Sequence, residues 1–241
     1  IILSHEKRKN QLKRLLKFTL SKPPPSLKEI IISWGSNQSS LQKIVKCFHS
    51  FALEFGISIR FWEEIDLTVN RRFWRAKEIL TFCLLSIDDD ILMNYFNLEY
   101  GFVIWRNYPD QLVGYCSRYI SIKKYGKNSI LKYRYSGNRI TLILTGLAFL
   151  NRDIAMSYYK PFNSKNIGIV KLLNNCEDIL MNFIAMNLSH KPAIFINRVY
   201  WHLSSHGIST KPGHSRIRDF CLNSFYSFFK ELPLRIPKKF I

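Results

Sequence analysis

Three consecutive carboxylates end an apolar segment in the first half of the chain. The segment begins at Ile79 and runs into Asp88, Asp89 and Asp90. Carboxylates repel one another and cannot enter a core unpaired, so the triplet is expected where a cation fills the site. In open α/β sheets, ligands bind beyond the carboxyl ends of the strands. The pattern favours an α/β fold with a site for Mg²⁺ or Mn²⁺ and for phosphates, and an exposed turn or a helix start is the ordinary alternative.

Alternating hydrophobic patterns precede the triplet. The helical spacing of Leu12, Leu16 and Leu20 predicts a helix that is capped by Ser4 and ended by the three prolines at 23–25. There follow a strand (30–34), an amphipathic segment (41–51), a strand (57–61) and the apolar run from Ile79. This alternation predicts a βαβ half-sheet of the kind that binds nucleotides.

The second half of the chain has a different order of elements. Its patterns predict helices over 98–105 and 174–188, strands over 112–119 and 140–150, and a loop or hairpin over 123–137. The sequence contains no internal repeat and no linker long enough to separate independent domains. We therefore expect one domain over residues 1–241, with two differently organised halves at about 1–118 and at about 119–241.

The chain is strongly basic. It has 36 Lys and Arg residues against 17 Asp and Glu, a net charge of +19. Such an excess predicts a polyanionic partner, whether nucleic acid, an anionic membrane surface or an acidic polysaccharide. Nucleic-acid readout has little support, because no zinc-finger spacing or RNA-recognition signature is present. No apolar run approaches the ~20 residues of a membrane span, so a membrane anchor is expected only outside this sequence.

Cysteine and asparagine motifs bear on the compartment. The five cysteines form no CxxC pair, which argues against structural zinc and a thioredoxin-type site. The triplets Asn37-Gln38-Ser39 and Asn187-Leu188-Ser189 fit the N-glycosylation pattern, which matters only for a protein of the secretory path.

Collinear motifs along almost the whole chain resemble one family. They are 84–90 (LLSIDDD), 98–106 (LEYGFVIWR), 108–115 (YPDQLVGY), 144–149 (LTGLAF), 175–183 (NCEDILMNF) and 214–223 (HSRIRDFCLN). Together they resemble the exostosin-type C-terminal domain of glycosyltransferase family 64, found in heparan sulfate chain-building enzymes and their exostosin-like relatives. The resemblance implies a GT-A fold with a Rossmann-like nucleotide-binding half and a mixed-sheet acceptor half.

The same resemblance implies an activity and a set of site residues. The implied reaction transfers N-acetylglucosamine or N-acetylgalactosamine from UDP, with Mn²⁺ and retention of the α configuration, to glucuronic acid at the end of a heparan chain or its linker. Asp90 is the expected Mn²⁺ ligand, and Asp178 and Arg218 are the expected catalytic pair. The expected contacts to the donor are Arg8, Asn70, Arg72, Asp88, Asp89 and Asn175. A disulfide between Cys176 and Cys221 is also implied.

Two mechanisms of retention stay open at this point. The charge on a leaving UDP can be stabilised by a divalent cation and by Arg side chains. A double displacement needs a carboxylate nucleophile, and only Asp178 is an obvious candidate. Front-face return, in which the leaving phosphate takes the acceptor proton, is at least as well supported.

The chain departs from the family pattern in its nucleotide half. His5-Glu6-Lys7-Arg8 replaces a Thr-Tyr-Asn-Arg loop, Gly35 and Leu67 each replace an Asn, and Phe82 replaces an acidic or amide residue. Each lost hydrogen bond to the nucleotide costs roughly 1 kcal/mol or more. The alternative function is therefore a catalytically weak glycan-binding subunit that pairs with an active exostosin-type transferase. In either case, we expect a type II membrane protein in the Golgi or endoplasmic reticulum lumen.

Overall fold

The structure is a computed structural model that describes residues 1–35, 38–63, 67–125, 128–135, 142–203 and 211–230. Seven strands in these ranges form one mixed sheet. In spatial order they are β11 (Ile194–Phe195), β6 (Val113–Gly114), β10 (Leu147–Asn151), β4 (Cys83–Asp88), β1 (Ile2–Ser4), β2 (Glu29–Trp34) and β3 (Ser58–Glu63). Strands β4, β1, β2 and β3 are parallel, whereas β10 is antiparallel to both of its neighbours.

Helices cover both faces of this sheet. On one face lie α1 (Lys9–Ser21), α2 (Gln38–Leu53) and α3 (Tyr95–Asn107), and on the other lie α4 (Arg152–Ser157), α5 (Ser164–Leu173), α6 (Glu177–Ser189) and α7 (His214–Phe229). Strand β2 accounts for this arrangement, because Ile30 and Ile32 pack into the first core and Ile31 into the second. A strand whose successive apolar side chains point to opposite faces must be covered on both sides. Within the described ranges, no helix is both long enough and apolar enough to cross a bilayer.

Two smaller sheets flank the main one. Strand β7 (Ser117–Tyr125) pairs with β8 (Asn128–Arg134) in a hairpin and with β9 (Leu142–Ile143) on its other side. Strands β5 (Ile91–Leu92) and β12 (Trp201–His202) form an antiparallel pair next to the acidic triplet. Helix α7 packs on β8, where Asn223 bonds both backbone groups of Leu131 and Asp219 accepts from the backbone N–H of Tyr133.

Most of the predicted elements are confirmed, but the beginning of the chain is not. Ser4 does not cap a helix: it ends β1, which is paired in parallel with β2 and β4, and α1 begins at Lys9. The strand is only three residues long, and the sequence pattern did not reveal it. The Ser4 hydroxyl instead donates to Asp89 over 2.6 Å.

Three further boundaries differ from the sequence-based expectation. The predicted strand over 140–150 is two strands, β9 and β10, separated by the Thr145-Gly146 turn. The predicted strand over 112–119 is likewise divided between β6 and β7. The helix predicted over 174–188 begins at Glu177, because Asn174 and Cys176 have left-handed φ angles of 44° and 76° that end α5 and precede α6. The predicted hairpin is confirmed as β7 and β8.

Candidate functional site

A cleft of about 600 Å³ lies at the carboxyl ends of β1 and β4. It contains eight of the nine side chains predicted from the sequence to bind donor or metal or to act in catalysis, and they come from both halves of the chain. They are Arg8, Arg72, Asp88, Asp89, Asp90, Asn175, Asp178 and Arg218. The fold therefore brings together residues that are up to 210 positions apart in sequence, from Arg8 to Arg218.

The acidic triplet is held by basic side chains. Nη1 of Arg8 lies 2.8 Å from Oδ1 of Asp89 and 2.8 Å from Oδ2 of Asp90. The Asp89 carboxylate is buried and also accepts from Ser4, so it serves as an internal brace. The Asp90 side chain retains 14% exposure. Of the two carboxylates on Arg8, Asp90 is therefore the one that a ligand in the cleft can reach.

Arg72 connects Asp88 to the second half of the molecule. Its guanidinium is buried, forms an ion pair with Asp88, and donates to the Ser86 hydroxyl over 2.9 Å and to the Thr145 carbonyl over 3.2 Å. Glu177 at the start of α6 lies 3.9 Å away. The Asp88 side chain keeps 38% exposure, whereas Arg72 keeps 2%, so the carboxylate is the member of the pair that faces the cleft.

Asp178 and Arg218 form a buried ion pair. Nη2 of Arg218 lies 2.6 Å from Oδ2 of Asp178, and Nη1 lies 3.1 Å from Oδ1 of Asn175. The guanidinium also lies over the Tyr133 ring, 4.5 Å from its centroid. The predicted disulfide between Cys176 and Cys221 is confirmed, and it joins the residue before α6 to the middle of α7. It thus holds the helices that carry the pair.

Asn70 is the predicted donor contact that lies outside the cleft. Its side chain is 1% exposed, accepts a hydrogen bond from the Tyr158 hydroxyl over 2.7 Å and donates to the Ile167 carbonyl over 3.4 Å. These bonds fix the short 3₁₀ helix Val69–Phe73, which carries Arg72. Asn70 supports the position of Arg72, and its direct contact with a nucleotide stays a prediction.

Burial and neighbouring charges shift the acid strength of three cleft residues. Burial, followed by the nearby Asp178 carboxylate, raises the pKa of Glu177 to about 7. Burial also raises the pKa of Asp89 to about 6, against the opposing effect of Ser4 and Arg8. At Asp178 the cost of burial is outweighed by Arg218, which holds the pKa below its usual range. Asp178 is therefore an anion at neutral pH, whereas Glu177 titrates there.

Arg71 is a cleft residue that the sequence analysis did not single out. It donates to the Ser4 carbonyl over 3.0 Å and to the carbonyls of Leu67 and Thr68 over 2.6 and 3.2 Å. A Cβ on Gly35 would lie 2.7 Å from Cζ of Arg71, closer than to either terminal nitrogen, so Gly35 covers one face of the guanidinium. Gly35 and Leu67, at which the chain departs from the family pattern, thus both lie against Arg71. Arg71 adds a third guanidinium group to those of Arg8 and Arg72 at this end of the cleft.

Glu177 and His214 were also missed, and the signals for them were weak. In the sequence analysis Glu177 occurs only within the motif 175–183 and His214 only within the motif 214–223. Both line the cleft. Glu177 is the first residue of α6, and Cys176 before it has a left-handed φ. This backbone geometry is visible in the structure but not in the sequence.

The donor set in the cleft suits a divalent ion that is also held by substrate. No group of three or more His, Cys, Asp and Glu residues suited to a metal occurs in the described ranges. Mg²⁺-like ions are commonly held by one or two carboxylates together with substrate phosphates and waters. Asp90, partly exposed and beside the cationic Arg8, fits such a shared site. Its oxygen donors match Mn²⁺ as well as Mg²⁺.

A second cavity, of about 540 Å³, has different chemistry. It lies at the amino-terminal ends of the parallel strands, near Ile1, Glu29 and Cys83, and its walls are mainly apolar. It shares none of the clustered carboxylates and guanidinium groups of the cleft. The polar cleft is therefore the candidate active site.

The chain belongs to the glycosyl transferase family 64 domain family, which it matches over residues 1–239. It is 28% identical to the Glycosylinositol phosphorylceramide mannosyl transferase 1 of Arabidopsis thaliana, over 88% of this chain and 62% of that protein. It is 29% identical to human Exostosin-2, over 88% of this chain and 30% of that protein. The chain thus spans less than two thirds of the length of these relatives.

A solved structure supports the fold. The putative glucose-1-phosphate thymidylyltransferase of Bacillus anthracis, crystallised in complex with sucrose, superposes with a TM-score of 0.54 at 12% identity. The match covers 92% of this chain and 94% of that one. This match confirms the α/β fold class that was predicted from the sequence. The family model confirms the family resemblance. The protein is a glycosyltransferase-family domain.

Proposed function

We propose that the chain is a retaining α-N-acetylhexosaminyltransferase. It uses UDP-N-acetylglucosamine or UDP-N-acetylgalactosamine with Mn²⁺ to extend a glucuronic-acid-ended heparan sulfate chain or linker. The observation that carries this proposal is the convergence of the acidic triplet, the buried Arg72 and the Asp178–Arg218 pair on one cleft. The first two suit a nucleotide diphosphate, and we assign the third to the sugar acceptor.

The proposed roles follow from the charges. Arg8 and Arg72 stabilise the negative charge that develops on the departing diphosphate. Asp90 would hold the Mn²⁺ ion. When bound, the ion acts as a Lewis acid on the phosphate oxygens. Because Arg72 is fixed by Ser86 and Thr145, it requires little reorganisation when the charge appears.

The contacts of Asp178 favour front-face return over a covalent intermediate. Its Oδ1 accepts from the Ile179 N–H over 2.8 Å, and its Oδ2 accepts from Arg218. Each oxygen accepts a hydrogen bond and the carboxylate is held as a stable anion, which lowers its reactivity as a nucleophile. Asp178 instead stabilises positive charge at the anomeric carbon, while the leaving phosphate takes the acceptor proton.

The charge distribution supports an acidic acceptor. The carboxylates of the cleft nearly balance its Lys and Arg residues, so most of the net charge of +19 lies elsewhere. Residues 7–28 contain no acidic residue, and Lys9, Lys13, Arg14 and Lys17 of α1 are exposed. A polyanion is attracted to such a surface. The affinity for heparan oligosaccharides is expected to fall steeply with ionic strength.

A second candidate is a glycan-binding subunit with weak activity, working with an active exostosin-type transferase in a homo- or hetero-oligomer. It is favoured by the exposed apolar side chain of Leu67 at the cleft and by Gly35, which offers no side chain to a nucleotide. For both candidates we propose a lumenal domain of a type II membrane protein in the Golgi or endoplasmic reticulum. Asn187 is exposed near the end of α6, as a glycosylation site must be, whereas Asn37 lies outside the described residues.

A donor and acceptor screen tests the proposal. UDP-N-acetylglucosamine, UDP-N-acetylgalactosamine and GDP-mannose are each supplied with Mn²⁺ and with either a glucuronate-ended heparan oligosaccharide or a glycosylinositol phosphorylceramide. Transfer from a UDP-sugar to the oligosaccharide supports the first candidate. Oligosaccharide binding without metal-dependent UDP binding supports the second. Transfer of mannose to the lipid, as named for the plant relative, would overturn both.

A further inference from the structure

His214 is the first residue of α7 and lines the cleft beside Asp178 and Arg218. Its side chain is 8% exposed, and its Nδ1 lies 3.2 Å from Nδ2 of Asn175. No other hydrogen bond joins the ring to a residue that the structure describes. Nε2 of the ring is therefore left for a group that enters the cleft.

The orientation of Asn175 fixes the tautomer of this ring. Arg218 has only donors, and it contacts Oδ1 of Asn175, which also accepts from the Cys176 N–H over 2.8 Å. The amide must then turn its Nδ2 donor toward His214, so Nδ1 of the ring accepts. An imidazole that accepts at Nδ1 is neutral and carries its proton on Nε2.

The charged groups around His214 favour the same neutral form. Burial lowers the pKa of His214, Arg218 and Arg118 lower it further, and Asp178 opposes them only in part. Lys211, just before α7, adds another cation to this side of the cleft. A proton on Nδ1 would bring two donors face to face and break the contact with Asn175.

We propose that His214 is an acceptor-binding residue, which donates a hydrogen bond from Nε2–H to a carboxylate oxygen of the acidic glycan. Lys211 and the amino-terminal end of α7, whose first turn has no acidic residue, make this region favourable for the same negative charge. Because the His214 ring is neutral, it does not compete with Arg218 for the Asp178 carboxylate. It can still donate a hydrogen bond to the carboxylate of the glycan. This inference rests on the proposed function, from which it takes the acidic acceptor.

Three variants test the hydrogen bond. His214→Ala removes it, His214→Asn restores only the inner acceptor, and His214→Gln restores a donor near the position of Nε2. We expect Ala and Asn to raise the KM for a glucuronate-ended heparan oligosaccharide at least tenfold, because a hydrogen bond to a charged group is lost. Gln recovers most of that loss. The dissociation constant of UDP with Mn²⁺, measured by calorimetry, changes less than twofold in all three.

Several outcomes would overturn the inference. One is an unchanged acceptor KM in His214→Ala, and another is a loss of UDP binding as large as the loss of acceptor binding. Nitrogen-15 NMR of the free protein gives a readout without turnover, in which we expect a neutral ring protonated on Nε2 at pH 7. An imidazolium or an Nδ1–H ring contradicts the geometry.

The failure of the proposed function is distinguishable from the failure of this inference. Calorimetry of the wild-type protein with the oligosaccharide, in the presence of UDP and Mn²⁺, measures acceptor binding directly. If the wild type does not bind, the acidic acceptor is wrong and the inference falls with it. If the wild type and His214→Ala bind equally, only the inference is wrong.

Discussion

Arg218 donates a hydrogen bond to Asp178 over 2.6 Å across 40 positions of sequence, and their side chains are only 5% and 7% exposed. Two charges at this depth have lost most of their hydration, and each depends on the other for compensation. The pair therefore contributes to the packing of α6 against α7 as well as to the chemistry proposed for this side of the cleft.

Breaking this pair is expected to destabilise the protein strongly. Arg218→Ala leaves the Asp178 charge buried and should lower the free energy of unfolding by about 3–5 kcal/mol. Addition of Asp178→Asn to that variant should cost little more, because the two residues share one interaction. Denaturant unfolding measures both. Lys191→Ala is the matched control, because its 2.5 Å pair with Asp110 is exposed and is worth under about 1 kcal/mol. Additive losses would contradict the coupling.

The disulfide should contribute substantially to stability. Replacement of both Cys176 and Cys221 by Ser opens a loop with a sequence separation of 45 residues, which costs about 4 kcal/mol in the chain-entropy estimate. The melting temperature reports this loss. In non-reduced protein, alkylation should modify the exposed Cys47 in the folded state, modify Cys83 and Cys116 completely only after unfolding, and leave the other two cysteines unmodified. Alkylation of Cys176 or Cys221 without reductant would show that the bridge is absent.

Asp90→Asn should abolish Mn²⁺-dependent UDP binding and leave the fold intact. The amide keeps the size of the side chain but removes the charge that attracts the ion. Calorimetry with UDP, with and without Mn²⁺, measures the change. Asp110→Asn, an exposed position outside the cleft, is the control and should bind as the wild type does. Equal binding by Asp90→Asn and the wild type would place the metal elsewhere.

Gly146 should be intolerant of a side chain because it approaches Asp88. A Cβ at this position would lie 2.5 Å from Oδ2 of Asp88 and displace it from Arg72. We expect Gly146→Ala to raise the KM for the donor roughly tenfold or more, as a charged hydrogen bond is lost. Gly168→Ala in α5, where a Cβ meets nothing within 4 Å, should be neutral or stabilise by up to about 1 kcal/mol. Equal donor KM values for both variants would contradict this contact.

Glu177 should make stability fall as pH rises. Its pKa is raised from 4.5 to about 7 in the folded protein, so the folded state holds the proton more tightly than the unfolded chain does. The resulting stabilisation is complete below pH 4.5 and is lost by about pH 7. Relative to Glu177→Gln, the wild type should lose up to about 3 kcal/mol over this interval. Urea unfolding at pH 5 and pH 8 measures the free energy of unfolding of the wild type and of Glu177→Gln, and the exposed Glu54→Gln is the control. A difference between the wild type and Glu177→Gln that does not change with pH would exclude Glu177 as the cause.

Local patterns predicted the parts of the fold that are long and repetitive. The three consecutive isoleucines of β2 and the helical spacing in α1 each need only their own residues, and both elements are confirmed. Strand β1 was missed because three residues carry no period. Its existence depends on pairing with Ile32 and Ile87, which are 30 and 85 positions away from Ile2.

The candidate site was predicted from motifs that were recognised as a set. The predicted list of residues was incomplete for a physical reason. Motif positions identified Asp178 and Arg218, but they did not identify the neighbours that set their charges. Glu177 titrates near neutrality only because the fold buries it beside Asp178, and Arg71 enters the cleft only because Gly35 leaves space for it. Such properties arise from tertiary contacts, which spacing alone does not encode.

The contact between α7 and β8 has a consequence for association between molecules. Strand β8 is the outer strand of its hairpin, and the unpaired amide and carbonyl groups of such an edge recruit other chains into aggregates. The side chains of Asn223 and Asp219 bond to the backbone of Leu131 and Tyr133 as a further strand would. Two polar residues of α7 thus occupy backbone groups of the outer strand that would otherwise be open to pairing with another chain.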